Sequence, residues 1–212
     1  TVGGNLSATA TTGNMTDSGV LTIAGTSSFT TSATDATITL NNANAFTGAV
    51  ALNTTGSSGH ATVVDASGLN LAVSTVGGNL IATATTGNME DAGVLTIAGT
   101  SSFTTSANNA TIILNNANAF TGAVSLNTTG STGHATVVDA SGLNLGASTV
   151  GGNLSATATT GNMEDAGVLT IAGTSSFTTS ATDATITLNN ANAFTGAVAL
   201  NTTGSSAHAT VV

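Results

Sequence analysis

The chain has 212 residues, 40% of them hydrophobic and 4% charged, and its nine Asp and Glu residues face no Lys or Arg, giving a net charge of -9. A chain without basic residues cannot displace counterions from nucleic acid and gains nothing from an anionic lipid surface, so its composition argues against both partners. It also has no cysteine, which excludes disulfides and thiolate metal sites, and no apolar run long enough to insert into a membrane.

A 74-residue unit recurs without insertion or deletion, as residues 1–74, 75–148 and 149–212, with the last copy ten residues short. TVGGNLSATATTGNM begins at Thr1 and Thr149, and TVGGNLIATATTGNM begins at Thr75. Near-identical tandem units stack on their neighbours. We therefore expect one continuous solenoid of three tandem repeats, and we interpret the chain as a segment of a longer array.

Within a repeat, short segments alternate between apolar and polar residues and are separated by Gly, Asn, Ser and Asp turns. Such period-two alternation predicts strands, and no segment has the apolar stripe of an amphipathic helix. In the first copy the predicted strands lie, in chain order, at residues 5–10, 20–23, 28–30, 36–40, 49–52, 60–64 and 69–73.

Strands this short fit the sides of a coil better than a sandwich, so the predicted fold is an all-β parallel β-solenoid. Aligning residues 4–6, 27–29 and 48–50 gives coils of about 22, 22 and 30 residues, which favours about three coils per repeat, although four shorter coils also fit. Each coil adds about 4.8 Å, so a repeat would advance about 14 Å along the axis.

The largest apolar side chains should fill the narrow interior. Six phenylalanines are predicted to form a stacking core, in two sets: Phe29, Phe103 and Phe177; and Phe46, Phe120 and Phe194.

An asparagine-rich segment in each copy is predicted to form a corner, because Asn tolerates left-handed backbone and stacked Asn side chains can bond one coil to the next. The residues of this predicted ladder are Asn41, Asn42, Asn44, Asn115, Asn116, Asn118, Asn189, Asn190 and Asn192.

No residues gather into an evident cofactor site. His60, His134 and His208 recur once per repeat and lie too far apart along the axis to share a metal ion. Calcium is a weak candidate at Asp17, Asp91 and Asp165, because adjacent carboxylate and amide oxygens suit hard cations. The consensus calcium loops are missing, and turn formation or solubility is the favoured role of these carboxylates.

Several short sequence motifs resemble the repeat regions of large secreted bacterial exoproteins of the filamentous haemagglutinin type. They are VGGNL at residues 2–6, TTGNM at 11–15 and DASGLNL at 65–71. The resemblance covers the whole chain and implies a right-handed parallel β-helix exported to the cell surface, with a role in adhesion or biofilm formation. The family's secretion domain is absent from these residues, and no binding activity can be assigned to a particular side chain.

Thr-x-Thr pairs occur at Thr9 with Thr11 and at Thr37 with Thr39. They resemble the aligned threonine rows of ice-binding solenoids, so ice binding is an alternative function. In the second copy Ile81 replaces Ser7 and Ile113 replaces Thr39. These two isoleucines represent either sequence drift or a lateral contact between rods. A polysaccharide-active β-helix enzyme is a weaker alternative, because such a site needs clustered acids.

The favoured function is an extracellular structural protein that forms the shaft of a surface filament or giant adhesin, without catalytic activity. Open ends of a solenoid expose unpaired sheet edges, so self-association end to end or laterally is expected. A host-cell or polysaccharide surface is a further possible partner.

Overall fold

The computed structural model describes residues 1–212, which form 26 short β-strands and no helix, so no helix is available to cross a membrane. The first strands are β1 (Leu6–Ala10), β2 (Met15–Thr16), β3 (Thr22–Ile23), β4 (Ser27–Thr31), β5 (Ile38–Phe46), β6 (Val50–Asn53), β7 (Ala61–Asp65) and β8 (Leu69–Leu71). Next come β9 (Ser74–Val76), β10 (Leu80–Ala84), β11 (Met89–Asp91), β12 (Leu95–Ile97), β13 (Ser101–Asn108), β14 (Ile112–Phe120), β15 (Val124–Thr129), β16 (Ala135–Asp139) and β17 (Leu143–Leu145). The last are β18 (Ser148–Val150), β19 (Leu154–Ala158), β20 (Met163–Asp165), β21 (Leu169–Ile171), β22 (Ser175–Thr182), β23 (Ile186–Leu188), β24 (Ala193–Phe194), β25 (Val198–Thr203) and β26 (Ala209–Val211).

Two parallel sheets run the length of the molecule, which confirms the predicted β-solenoid. We call the 12-stranded sheet that begins at β1 sheet one, and the 14-stranded sheet that begins at β2 sheet two. The main path of sheet one is β1-β4-β6-β8-β11-β14-β16-β19-β22-β25, and that of sheet two is β2-β5-β7-β10-β13-β15-β17-β20-β23-β26. Short strands such as β9 and β12 form a third side, so a coil has about three strands.

Successive turns are about 21 residues apart, so each repeat makes three and a half turns. Leu6 pairs with Ser27, Ser27 with Val50, and Val50 with Leu71. The path from β1 to the equivalent β19 takes seven steps over 148 residues. This value lies between the three coils that we preferred and the four that also fitted, because the expected 30-residue coil (50–80) contains one and a half turns.

The half turn places equivalent residues of adjacent repeats on opposite sheets. Leu6 and Leu154 lie in sheet one, whereas Leu80, their counterpart in the second copy, lies in sheet two. A repeat therefore advances about 17 Å rather than the expected 14 Å, and the same face recurs every seven turns, or about 34 Å. Consecutive repeats show the same surface on alternating sides.

Thirty-eight buried apolar residues form one continuous core between the sheets. The phenylalanines pair within each repeat, edge to face, with ring centroids 5.9 Å apart for Phe29 and Phe46 and 5.8 Å apart in the two later pairs. Along the axis, Phe29 lies between Ala8 and Leu52. Five of the six predicted core phenylalanines are buried and Phe194 packs against the core. Equivalent rings lie three and a half turns apart, so the rings contact one another in pairs within a repeat rather than in one column along the axis.

Glycine allows the turns to approach closely at one corner. Gly78, Gly99 and Gly122 lie above one another on successive turns, and a Cβ on Gly99 would lie 2.6 Å from the carbonyl carbon of Gly78. The side-chain oxygen of Asn79 accepts the Thr100 N–H (2.9 Å) beside this glycine column. The corner thus needs both the absence of a side chain and an amide bridge.

Candidate functional site

The asparagine-rich corner is the most elaborate polar arrangement in the molecule. In the second copy, β14 bends at Asn115–Asn118, and its register against β16 shifts between Leu114 and Asn118. The amide of Asn118 is fully buried; it donates to the Asp91 carboxylate (2.8 Å) and accepts the Leu95 N–H (2.8 Å). One side chain thereby satisfies the backbone where the strand bends.

The carboxylate of Asp91 organises the same corner from the turn below. It accepts the backbone N–H groups of Asn115 (3.0 Å) and Asn116 (3.1 Å), and the Asn116 amide donates to the Asp91 carbonyl oxygen (2.8 Å). Asp17 and Asp165 make the equivalent bonds in the other copies. The asparagines bond from turn to turn, as expected, but to aspartate and backbone rather than to other asparagines.

In each of the first two copies a second buried aspartate lies beside the asparagine-rich corner, on the next turn. The carboxylate of Asp139 is fully buried and accepts the Phe120 N–H (3.1 Å) and both the N–H and hydroxyl of Ser141 (2.9 Å each). Burial raises the pKa of the Asp139 carboxyl above its usual range, although these hydrogen bonds act in the opposite direction. Asp65 has the same partners in the first copy, Phe46 and Ser67.

The aspartate of a third register forms a tight turn. Asp35 and Asp183 have φ near +60°, as does Asn109 at the equivalent position of the second copy. Each side-chain oxygen accepts a backbone N–H from the next turn, that of Ser58 for Asp35 and that of Thr132 for Asn109. Asp and Asn exchange freely here because both tolerate left-handed backbone and both accept this bond.

The histidines join adjacent turns and do not converge. The Nδ1 atom of His60 accepts the Asn79 N–H (2.9 Å), and that of His134 accepts the Asn153 N–H (2.8 Å). His60 precedes β7 in sheet two and His134 precedes β16 in sheet one, so the half turn separates them. No group of three or more His, Asp or Glu side chains is placed to share a metal ion.

The threonines of the Thr-x-Thr pairs do not form one face. Thr9 is exposed in β1 of sheet one, Thr11 lies in the following turn, and Thr39 lies in β5 of sheet two. The outward column through Thr39 continues with Thr62, Ile81 and Ser102. Sequence spacing alone could not show this mixture, because it depends on which strands become neighbours.

The two isoleucines of the second copy also lie apart. Ile81 is exposed in β10 of sheet two, and Ile113 is half-buried in β14 of sheet one. They therefore cannot form one shared lateral patch.

Four valines that the sequence analysis did not single out are exposed, and two of them are neighbours. Val73 is 65% exposed and lies beside Val94, which is 38% exposed, on the adjacent turn. Val20 and Val168 occupy the register of Val94 in the other copies and are also exposed. We call these four residues the valine ridge; the half turn places its segments on alternating sides of the rod.

The cavities are small or belong to the ends of the coil. The largest, 440 Å³, is the interior of the first turns and is lined by residues such as Leu6, Met15 and Phe29. Two shallower depressions of 240 and 200 Å³ occupy equivalent positions around Glu164 and Glu90.

Comparison with known proteins identifies the repeat but assigns it no activity. Residues 1–53, 58–127 and 132–201 match a family described as repeats of unknown function (DUF5649). No curated protein and no solved structure matches the chain. The chain consists of tandem copies of one unit folded as a parallel β-solenoid, and the matched segments cover most of it. The chain therefore belongs to the DUF5649 repeat family.

Proposed function

We propose that the chain is a segment of the shaft of an extracellular filament or giant adhesin. The observation that carries this proposal is the continuity of the two sheets, which pass through all three repeats without a break in strand order. Stability in such an array accumulates from contacts between neighbouring turns, so additional repeats lengthen the rod without requiring a new fold. The role of the segment is mechanical: it sets length and presents a surface.

The composition of the surface supports a location outside the cell. The nine carboxylates face no Lys or Arg, so proteases that cut after basic residues find no site. The net negative charge also limits non-specific association with other molecules. The resemblance to filamentous haemagglutinin-type exoproteins supports the same location, and binding to a host cell or polysaccharide would belong to the array as a whole.

Lateral contact between rods would use the valine ridge. One exposed valine recurs in every repeat, as Val20, Val94 and Val168, and Val73 adds a second beside Val94. Alternation of the ridge between sides would let one rod contact a neighbour on each flank. Single valines contribute little, so association through the ridge would strengthen with repeat number.

Cryo-electron microscopy of the native source material tests the proposal. We expect filaments with a layer spacing of about 4.8 Å, an axial rise of about 17 Å per repeat combined with a half turn, and a full period of about 34 Å. Discrete particles without filaments would contradict the shaft. Thermal hysteresis of purified material would instead favour the ice-binding alternative, for which the mixed Thr, Ser and Ile columns provide little support.

A further inference from the structure

A polar notch lies at each of the two junctions between repeats. The notch of 200 Å³ is lined by Gly68, Leu69, Asn70, Asn88 and Glu90. The notch of 240 Å³ is lined by the equivalent Gly142, Leu143, Asn144, Asn162 and Glu164. The half turn places the first on sheet one and the second on sheet two.

Two oxygen-bearing side chains are neighbours in each notch. Asn70 of β8 pairs in register with Glu90 of β11, and Asn144 of β17 pairs with Glu164 of β20. Side chains of paired residues in adjacent strands lie on the same face, about 5 Å apart. Glu90 and Glu164 are exposed, whereas the adjacent Asp91 and Asp165 are buried in the corner.

The asparagine in each notch has an unsatisfied acceptor. The Oδ1 atoms of Asn70 and Asn144 are shielded from solvent and have no hydrogen-bond donor. The nearby Asn88 does not supply that donor; its own Oδ1 accepts the Thr111 N–H (3.0 Å), which fixes the wall of the notch. A buried polar atom without a partner is costly, and an ion is one way to satisfy it.

We propose that each notch binds a hard divalent cation of the calcium type, held by the Glu carboxylate and the Asn Oδ1, with water completing the shell. Carboxylate and amide oxygens are the ligands that calcium prefers, and no Lys or Arg exists in the chain to compete for the carboxylate. With one carboxylate per site, we expect a dissociation constant of about 10⁻⁴ to 10⁻³ M, in the range of extracellular calcium modules. The first copy has Thr16 in place of the glutamate, so the chain carries two sites.

Isothermal titration calorimetry of the 212-residue chain with CaCl₂ tests the proposal. It distinguishes binding at two specific sites from non-specific attraction of calcium to the negative net charge. We expect two saturable sites, and at least tenfold weaker binding in the E90Q/E164Q variant. The control, D35N/D183N, removes the same two charges at a register where the second copy already has Asn109, and it should bind like the parent chain. The N70A/N144A variant keeps the net charge and should also lose affinity.

The outcomes separate cleanly. Saturable binding that is lost in the Gln and Ala variants and kept in the control establishes the sites. Equal weakening in the two charge-matched variants, or no saturable binding at all, overturns the proposal. Far-ultraviolet circular dichroism checks that each variant is folded, and none of these results bears on whether the protein forms filaments.

Discussion

The exposed positions of the coil and the two corners built from glycine and from aspartate with asparagine differ in how far they tolerate substitution. The first and second copies differ at ten positions, and in the second copy these are Ile81, Glu90, Ala92, Asn108, Asn109, Ile113, Ser125, Thr132, Gly146 and Ala147. All except Gly146 are exposed or half-buried. The glycine column and the aspartate–asparagine corner, in contrast, are identical in all three copies. Most of the substituted side chains contact water, and Asn109 keeps the backbone hydrogen bond that Asp35 makes at the equivalent turn. Residues of the two invariant corners pack against or bond the backbone of another turn in a way that another side chain would not reproduce.

The glycine column offers the most severe test of this contrast. Gly99→Ala should lower the free energy of unfolding by about 3 kcal/mol, because the added Cβ would overlap the Gly78 backbone on the adjacent turn. Gly19→Ala is the matched control, since a Cβ there meets nothing within 4 Å. Urea unfolding of both variants gives the comparison, and similar losses would show that the corner is no tighter than an open turn.

The buried amide of Asn118 should have the next largest effect. Asn118→Ala leaves the Leu95 N–H without a partner and removes one of the three N–H donors of the Asp91 carboxylate, and we expect a loss of about 2–3 kcal/mol. Asn127→Ala, on the outer face of β15, should change the free energy of unfolding by less than about 0.5 kcal/mol. Calorimetric unfolding measures both variants. Equal losses of stability for Asn118→Ala and Asn127→Ala would show that the corner hydrogen bonds do not stabilise the fold more than an outer-face side chain does.

The raised pKa of Asp139 predicts a pH dependence. The native carboxyl holds its proton to higher pH than the unfolded one, whose pKa is about 3.9. Its contribution to stability is therefore full below that value and is lost as pH rises through the native pKa. Relative to Asp139→Asn, which does not titrate, the parent chain should gain stability when the pH is lowered from 7 to 4.

Urea unfolding of both proteins across this pH range measures the difference. Asp183→Asn is the control for removal of one negative charge, since the second copy has Asn109 at that register. A stability difference between parent and Asp139→Asn that stays constant with pH would contradict the raised pKa.

The smallest expected effect is a stabilisation, whereas the glycine and asparagine substitutions above destabilise the chain. The hydroxyl of Ser101 is buried without a partner, so Ser101→Ala should raise the free energy of unfolding by about 1 kcal/mol. Ser148 is also buried, but its hydroxyl accepts the Leu126 N–H (3.0 Å) and donates to the Gly146 carbonyl (2.8 Å). Ser148→Ala should therefore destabilise the chain. Thermal unfolding measures both variants, and a shift of the same sign in the two would contradict the prediction.

The sequence by itself determined the repeat, the strand content and the parallel solenoid. These follow from local patterns: a fixed 74-residue period, period-two alternation and frequent turn residues. The asparagine segment could likewise be assigned to turn-to-turn bonding from its composition. Its aspartate partner could not, because Asp91 and Asn118 are separated by 27 residues and meet only through the turn spacing.

Only the tertiary structure decided the number of turns per repeat, and most of the candidate site depends on that number. A repeat of three and a half turns places equivalent residues on opposite sheets, separates the phenylalanine pairs and divides the threonines between faces. It also brings Asn70 beside Glu90, 20 residues later, and Val73 beside Val94. The alternating pattern fixes which side of its own strand a residue occupies, but neighbours on the next turn depend on the length of every intervening corner, which is set by packing against the turn below.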